Sequence, residues 1–343
     1  MMVRLVPLRD KPKSPLRDKQ SEPVPTNPLR DKQGKQAQHK KVDLAIEIAG
    51  VKFENPVMVA SGTFGYGKEY ADLVDLNQIG AVISKTLTLL PRDGHPPLRT
   101  FETSSGMLNA IGLHNVGVEN FISEKLKFLR TKKTKVIANI AGSTIEEYVQ
   151  VAEKLNQAEG VHMLEINISS PNVKKGCMEF GSKADLTYEC VKAVKDVSNY
   201  PVMPKLSPNV TDIVEIAQAA QEAGADCISL INTLVGMAID WKKRKPILSN
   251  ITGGLSGPAI KPVALAMVWK VYQKIKVPLI GVGGIMNTQD AVEFFMAGAS
   301  AIQVGTANYV DPQASVKIVE GLEKYCQENK LASIKELIGI AHR

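Results

Sequence analysis

Cysteine is scarce in this chain: four in 343 residues, at positions 177, 190, 227 and 326. None forms a Cys-x-x-Cys pair, and a chain of this length builds a core without disulfide staples. The expectation is reduced cysteines in a cytoplasmic protein. Long apolar runs are missing too. None approaches the ~18 residues of a membrane-spanning helix, and the N-terminus lacks the apolar core of a secretory signal, so no membrane partner is expected. The five histidines (His39, His95, His114, His162, His342) are scattered. No His/Cys/Asp grouping has metal-ligand spacing, and no metal is expected. Most of the chain also lacks excess charge. Residues 1–41 hold 11 Lys+Arg against four Asp+Glu, which accounts for the whole net charge of +7. The remainder is neutral, which excludes a charge-driven nucleic-acid role for it.

What is present divides at about residue 42. Residues 1–41 contain six of the 19 prolines and no Phe, Trp or Tyr. The unit Pro-Leu-Arg-Asp-Lys occurs three times, beginning at Pro7, Pro15 and Pro28. Such a stretch cannot bury enough apolar surface to offset its ordering entropy. Its units are too short and unevenly spaced for a solenoid. The expectation is a disordered Pro/Lys/Arg-rich extension over 1–41 and one folded domain over 42–343.

From Val42 onward, short apolar runs alternate with helical patterns. Residues 42–48 and 51–53 flank Ala49-Gly50 and read as a hairpin. Eight strand candidates follow, at 57–60, 81–84, 136–140, 163–168, 202–205, 227–230, 279–282 and 301–304. Helix candidates lie at 144–157, 184–197, 211–223, 261–274, 288–297 and 312–327. Nearly continuous apolar strands separated by helices imply a parallel sheet buried on both faces. Eight such repeats fit an α/β fold of the (β/α)8 TIM-barrel type, with an N-terminal hairpin and inserted loops. A doubly wound open sheet is the competitor. It loses because no Gly-x-Gly-x-x-Gly follows the first strand.

A barrel of this type works at the C-terminal ends of its strands. There the chain carries Ser61-Gly62-Thr63, Lys85-Thr86, Asn139, Asn167 to Asn172, Lys205, Asn232-Thr233, Gly283-Gly284 and Gly305-Thr306. A structural barrel has no need of polar groups at every strand end, so the pattern points to an enzyme. Glycines after the seventh and eighth strands let backbone N–H groups approach a phosphate closely. Gly254 and Gly257 can add donors. The other groups are mostly amides, with two lysines and no carboxylate pair for glycosidase chemistry. Amide side chains offer donors and acceptors without charge, which suits a flat polar heterocycle. On these residues alone a flavin barrel and a phosphosugar barrel both stay open.

The same residues resemble those of the dihydroorotate dehydrogenases. The matching pieces are Ala60-Ser61-Gly62-Thr63, Ser84-Lys85-Thr86, Asn109-Ala110-Ile111-Gly112-Leu113, Asn167-Ile168-Ser169-Ser170-Pro171-Asn172, Asn232-Thr233, Gly283-Gly284 and Gly305-Thr306. They run in the family's order across residues 42–312. Segments 172–181 and 232–262 look most like the NAD-linked class 1B catalytic subunit. The resemblance implies an FMN-binding catalytic barrel that oxidises (S)-dihydroorotate to orotate in de novo pyrimidine (UMP) biosynthesis. By position, Ser61, Lys85, Thr86, Asn139, Asn167, Lys205, Ile231, Gly257, Gly283, Gly284, Gly305 and Thr306 would hold FMN. Asn109, Ala110, Ile111, Gly112, Leu113, Asn167, Asn172, Asn232 and Thr233 would hold substrate, with Lys85 serving both. Ser170 stands where the family keeps its base. That base takes the C5 proton while C6 passes a hydride to FMN, and Lys85 completes the catalytic pair. The resemblance also implies a homodimer of catalytic subunits joined to an electron-transfer subunit carrying FAD and an iron–sulfur cluster, a heterotetramer that delivers electrons to NAD. This chain has no clustered cysteines for such a cluster.

Two residues depart from the pattern. Class 1 enzymes usually have Cys where Ser170 stands, and the membrane-bound, quinone-linked class 2 has Ser. A thiol ionises near ~8.5, whereas a hydroxyl is a far weaker acid and needs a relay. A relay-assisted serine base is the favoured reading, against a replacement that silences a cysteine enzyme or drift toward a weak one. The tail lacks the amphipathic helix that would dock a class 2 enzyme. His114 stands where relatives often have Gln. Two other functions compete: a flavin barrel like dihydropyrimidine dehydrogenase, which a missing C-terminal Cys-rich segment argues against, and an FMN-binding protein with impaired turnover.

Overall fold

The alternation of buried strand and amphipathic helix sets the architecture, described by a computed structural model over residues 42–170 and 180–343. The expected extension over 1–41 lies outside the described residues. Strands Ile46–Ile48 and Val51–Phe53 form the hairpin, with Ile46 opposite Phe53. At its turn Ala49 and Gly50 take φ of 52° and 79°, the two positive values of a type I′ connection whose twist matches the strands. Residues 42–45 were expected in the first strand but lie before it. Asp43 bridges instead to Ser333, so tertiary pairing draws this segment away from the hairpin.

All eight expected barrel strands form: Val57–Val59, Ala81–Ile83, Lys135–Ile140, Met163–Asn167, Val202–Leu206, Ile228–Leu230, Leu279–Val282 and Ala299–Val304. They pair in parallel in chain order, and the eighth closes on the first with Ile302 opposite Val57. Closure removes both sheet edges. Helices cover the outer face and side chains fill the interior, so the strands are apolar throughout rather than alternating. The fold is a (β/α)8 barrel.

The six expected helices are Ile145–Asn156, Ala184–Val197, Ile213–Glu222, Lys261–Tyr272, Thr288–Met296 and Ala314–Glu328. Three start on side-chain caps: Thr144 accepts from Glu147 N, Asp212 from Val214 N and Asn287 from Asp290 N, each satisfying a donor left free at a helix start. The first two connections break the simple repeat. Short 3-10 turns at Lys68–Tyr70 and Leu76–Gln78 join the first two strands. A helical segment from Gly117 to Leu129, missed in the sequence, joins the second to the third.

The inserted segments after the second and sixth strands are more than loops. Leu234–Met237, Thr252–Ser256, Gly106–Asn109 and Thr100–Thr103 form a four-stranded antiparallel sheet, in that spatial order. No local signal announces it, because its central pairing sets Gly254 against Asn109, far apart in sequence. Glycines in its strands are also poor strand formers.

Helix packing on the barrel is close. The ring of Phe294, fully buried, lies directly on the seventh strand, where a Cβ at Gly281 would sit 2.4 Å from Phe294 Cδ1. Phe294→Ala should therefore cost about 3–5 kcal/mol of unfolding free energy, the range for a large ring lost from a core. Urea denaturation reads this, and a loss below about 1 kcal/mol would show that the ring does not anchor its helix.

Candidate active site

The polar groups that end the strands converge on one cavity of about 360 Å³. The first strand leads to Ser61, the second to Lys85 and Thr86, the fourth to Asn167 and Ser170, and the fifth carries Lys205 one residue before its end. The sixth leads to Ile231, Asn232 and Thr233, the seventh to Gly283 and Gly284, and the eighth to Gly305 and Thr306. The antiparallel sheet supplies Thr100, Asn109 and Ser256, followed by Gly257, and the loop beyond Asn109 supplies Ile111, Gly112, Leu113 and His114. Two of the expected residues are described and are not on this wall. Ala110, one residue past its neighbouring strand, is fully buried in a small cluster with Leu108 and Leu248 instead. Asn139 is buried inside the barrel. Asn172 lies outside the described residues.

Hydrogen bonds fix the amides in place. Asn232 Nδ2 donates to Ser169 Oγ at 2.9 Å, Ser169 Oγ to Asn167 Oδ1 at 3.2 Å, and Asn167 Nδ2 to Thr86 Oγ1 at 3.3 Å. From the helix behind, Tyr148 Oη donates to Asn167 O at 2.7 Å. The chain ties three strand ends together, so these side chains meet a ligand already oriented. Across the cavity, Thr306 Oγ1 donates to Ser256 Oγ at 2.8 Å and joins the barrel to the antiparallel sheet.

The cavity is electropositive where it is charged. Lys85 is half-buried, and burial pulls its ammonium below the ordinary lysine range, opposed by Glu69 and helped by Arg99. Lys205 is 4% exposed, with Nζ 3.4 Å from Gln303 Oε1 and 4.0 Å from Glu165 Oε2. Among the described residues no carboxylate lines the wall, and no group of three or more His, Cys, Asp and Glu could hold a metal. The arrangement suits an anionic, amide-bearing ring.

The glycine loops show where a larger group fits. Gly284 has φ of 72°, and a Cβ there would lie 2.7 Å from Lys261 N. Met286 N, just beyond, donates to Asp290 Oδ2 at 2.8 Å, while Lys261 Nζ binds Asp290 Oδ1 at 2.5 Å. The loop is thus braced with its backbone toward the cavity. Gly305 differs: a Cβ there would make only ordinary contacts, 3.6 Å to Ala60 and 3.7 Å to Thr63. Packing within the chain does not require glycine at 305, whereas a closely approaching ligand does. Beneath the wall, Asn139 Oδ1 is buried without a hydrogen-bond partner among the described residues. Glycine backbone suits a phosphate and the polar groups suit a flat ring.

A family model described as dihydroorotate dehydrogenase matches residues 43–326, most of the chain. The chain belongs to the dihydroorotate dehydrogenase family. That family is a flavin-dependent oxidoreductase family. The protein named dihydroorotate dehydrogenase B (NAD(+)), catalytic subunit, from Geotalea uraniireducens is 60% identical over 299 residues, covering 87% of this chain and 98% of that one. Its namesake from Geobacter metallireducens is 57% identical over 300 residues, covering 88% and 98%. A solved dihydroorotate dehydrogenase from Eimeria tenella, in complex with ferulenol, aligns with a TM-score of 0.75 at 23% identity over 90% of each chain. That likeness shows the fold. The relatives' names, as catalytic subunits, imply a partner subunit beside them.

Several residues at the site carry no mark in the sequence analysis: Thr100, Ser256 and Tyr309 on the wall, and Glu165, Ser229 and Gln303 buried below it. The last three carried a signal, single polar residues inside otherwise apolar barrel strands. Gly284→Ala should force an L residue into left-handed backbone at a cost of about 1–2 kcal/mol, besides its clash with Lys261. The variant should purify with roughly tenfold weaker flavin binding, read from bound-flavin absorbance. Flavin content equal to wild type would remove Gly284 from the binding loop.

Proposed function

We propose that this chain oxidises (S)-dihydroorotate to orotate with FMN as its resident cofactor, in de novo pyrimidine biosynthesis. Electrons pass to NAD through a partner subunit carrying FAD and an iron–sulfur cluster, and the assembly is a cytoplasmic heterotetramer on a homodimer of catalytic subunits. The observation that carries the reading is the make-up of the cavity: Ser170, oriented amides, two lysines and glycine backbone, with no carboxylate on the described wall. An exposed apolar stripe, Val235, Met237, Ile239 and Trp241, supplies surface for a partner subunit.

Dihydroorotate is a cyclic ureide bearing a carboxylate. The Lys85 ammonium matches the carboxylate, and burial strengthens that pairing. Asn109, Asn167, Asn172, Asn232 and Thr233 match the ring's carbonyl and N–H groups, while Ile111, Gly112 and Leu113 shape the rest of the pocket. Ser61, Thr86, Asn167, Lys205, Ile231, Gly257, Gly283, Gly284, Gly305 and Thr306 would hold FMN, with Lys85 reaching both. Bound flavin supplies a two-electron acceptor for the hydride that leaves C6. The Ser170 hydroxyl, 7% exposed, takes the C5 proton. It is a weak base and acts with a relay, so it works more slowly than a thiolate in the same place. Lys205 stabilises negative charge as it develops on the cofactor side.

Anaerobic mixing with dihydroorotate should bleach the bound flavin. A yellow protein that dihydroorotate leaves oxidised would overturn the proposal. Ser170→Ala should slow bleaching by about 10²–10⁴-fold, the usual worth of a positioned base, and Ser170→Cys should speed it. An unchanged rate in the Ala variant would remove Ser170 from proton transfer. Orotate affinity should fall as pH rises through the lowered titration of Lys85, because the neutral amine no longer attracts the carboxylate. Flavin spectral perturbation reads this, and Lys85→Met should flatten the profile. A wild-type affinity constant across the alkaline range would detach Lys85 from the carboxylate.

A further inference from the structure

The barrel interior beneath the cavity holds a carboxylate that the proposed reaction does not use. Glu165, on the fourth barrel strand, is 0% exposed. An ionised carboxylate in such a place is costly unless it is paired and hydrogen-bonded. Glu165 is both. Asn139 Nδ2 from the third strand donates to Oε2 at 2.5 Å, Ser229 Oγ from the sixth to Oε1 at 2.9 Å, and Gln303 Nε2 from the eighth to Oε1 at 2.6 Å. Lys205 Nζ from the fifth stands 4.0 Å from Oε2. Three donors are neutral, so Lys205 alone balances the charge of Glu165.

Lys205 is also the network's one outlet. Of these five residues only Lys205 lines the cavity. Gln303 bridges the charged pair, giving its N–H to Glu165 and accepting Lys205 Nζ on Oε1 at 3.4 Å. An ammonium has three donors. One serves Gln303 and one faces Glu165, which leaves a third for the cavity.

We infer that Glu165 is a positioning residue, which keeps Lys205 in place as a charged group and through it sets the reduction potential of the bound flavin. The inference rests on the flavin reading of the cavity. A deeply buried lysine stays an ammonium only when a counter-charge compensates its lost hydration. Glu165 supplies that charge from the side away from the cavity, so it competes with no ligand there. Gln303 holds the pair at hydrogen-bond reach rather than in tight contact.

The test is the midpoint potential of the flavin in Glu165→Gln, read by dye-coupled anaerobic titration. The amide keeps the shape and removes the charge. Lys205 is then no longer held in place as a charged group, negative charge on the reduced cofactor loses its partner, and the two-electron reduction equilibrium should fall about tenfold, a shift of about 30 mV to more negative potential. Lys205→Met should shift it the same way, and the double variant should go no further than Lys205→Met alone. Glu165→Asp should restore most of the wild-type potential, an outcome that a purely structural role does not require. Gln303→Met, which removes only the bridge, should give a smaller shift of the same sign and carries the test if Glu165→Gln does not fold. A wild-type potential in Glu165→Gln, a shift to more positive potential, or an equal shift in the Lys205→Met background would overturn the inference while leaving the flavin reading intact. A wild-type protein that binds no flavin would overturn both.

Discussion

Closure of eight parallel strands into a barrel brings every strand to an end on one rim, and the whole site depends on that constraint. Residues at or just past the ends of seven of the eight strands are delivered to the same cavity whatever lies between strands. Thus Ser61, Lys85, Ser170, Lys205, Asn232, Gly284 and Gly305, spread over most of the chain, line one space of about 360 Å³. The strands need only be apolar enough to stay buried. The chemistry resides in the positions just past them, where the backbone leaves the sheet and turns toward the helices.

The interior of the barrel adds a second layer. Apolar side chains fill most of it, yet Asn139, Glu165, Lys205, Ser229 and Gln303 form a polar floor under the cavity. Burying an ion pair costs more than an apolar filling of the same volume, so stability alone gives no reason to retain it. Its cost is limited because five strands each contribute one group, and every Glu165 contact crosses between strands. A rigid closed barrel is what makes such a frame possible. The amide chain from Asn232 through Ser169 and Asn167 to Thr86 repeats the same device one layer higher.

The antiparallel sheet is the third contribution. It carries Thr100, Asn109 and Ser256 to the wall opposite the strand ends, and the Thr306–Ser256 bond ties it to the eighth strand. Without it the rim would be an open bowl. Its outer strand leaves Val235 and Met237 exposed, with Ile239 and Trp241 just beyond, so the element that encloses the site also presents apolar surface outward.

The amino-acid pattern by itself determined the barrel and most of the rim. Strand burial and helix amphipathicity are local periodicities, and the eight strands and six helices appear where those periods put them. The glycines and the amides after the strands were legible for the same reason, since their meaning follows from strand order alone. Only the tertiary structure decided the rest. The antiparallel sheet pairs Asn109 with Gly254, and no window of sequence contains both. The Glu165 frame draws on five strands, so one acidic residue in an apolar run is a hint whose partners only barrel closure reveals. Packing against Leu108 and Leu248 took Ala110 away from the cavity, and the register of the third barrel strand set Asn139 beneath it, although both lie within the stretch that matches the family. Chain order names the strand a residue belongs to, but the direction of its side chain is set by the register and curvature of the closed barrel.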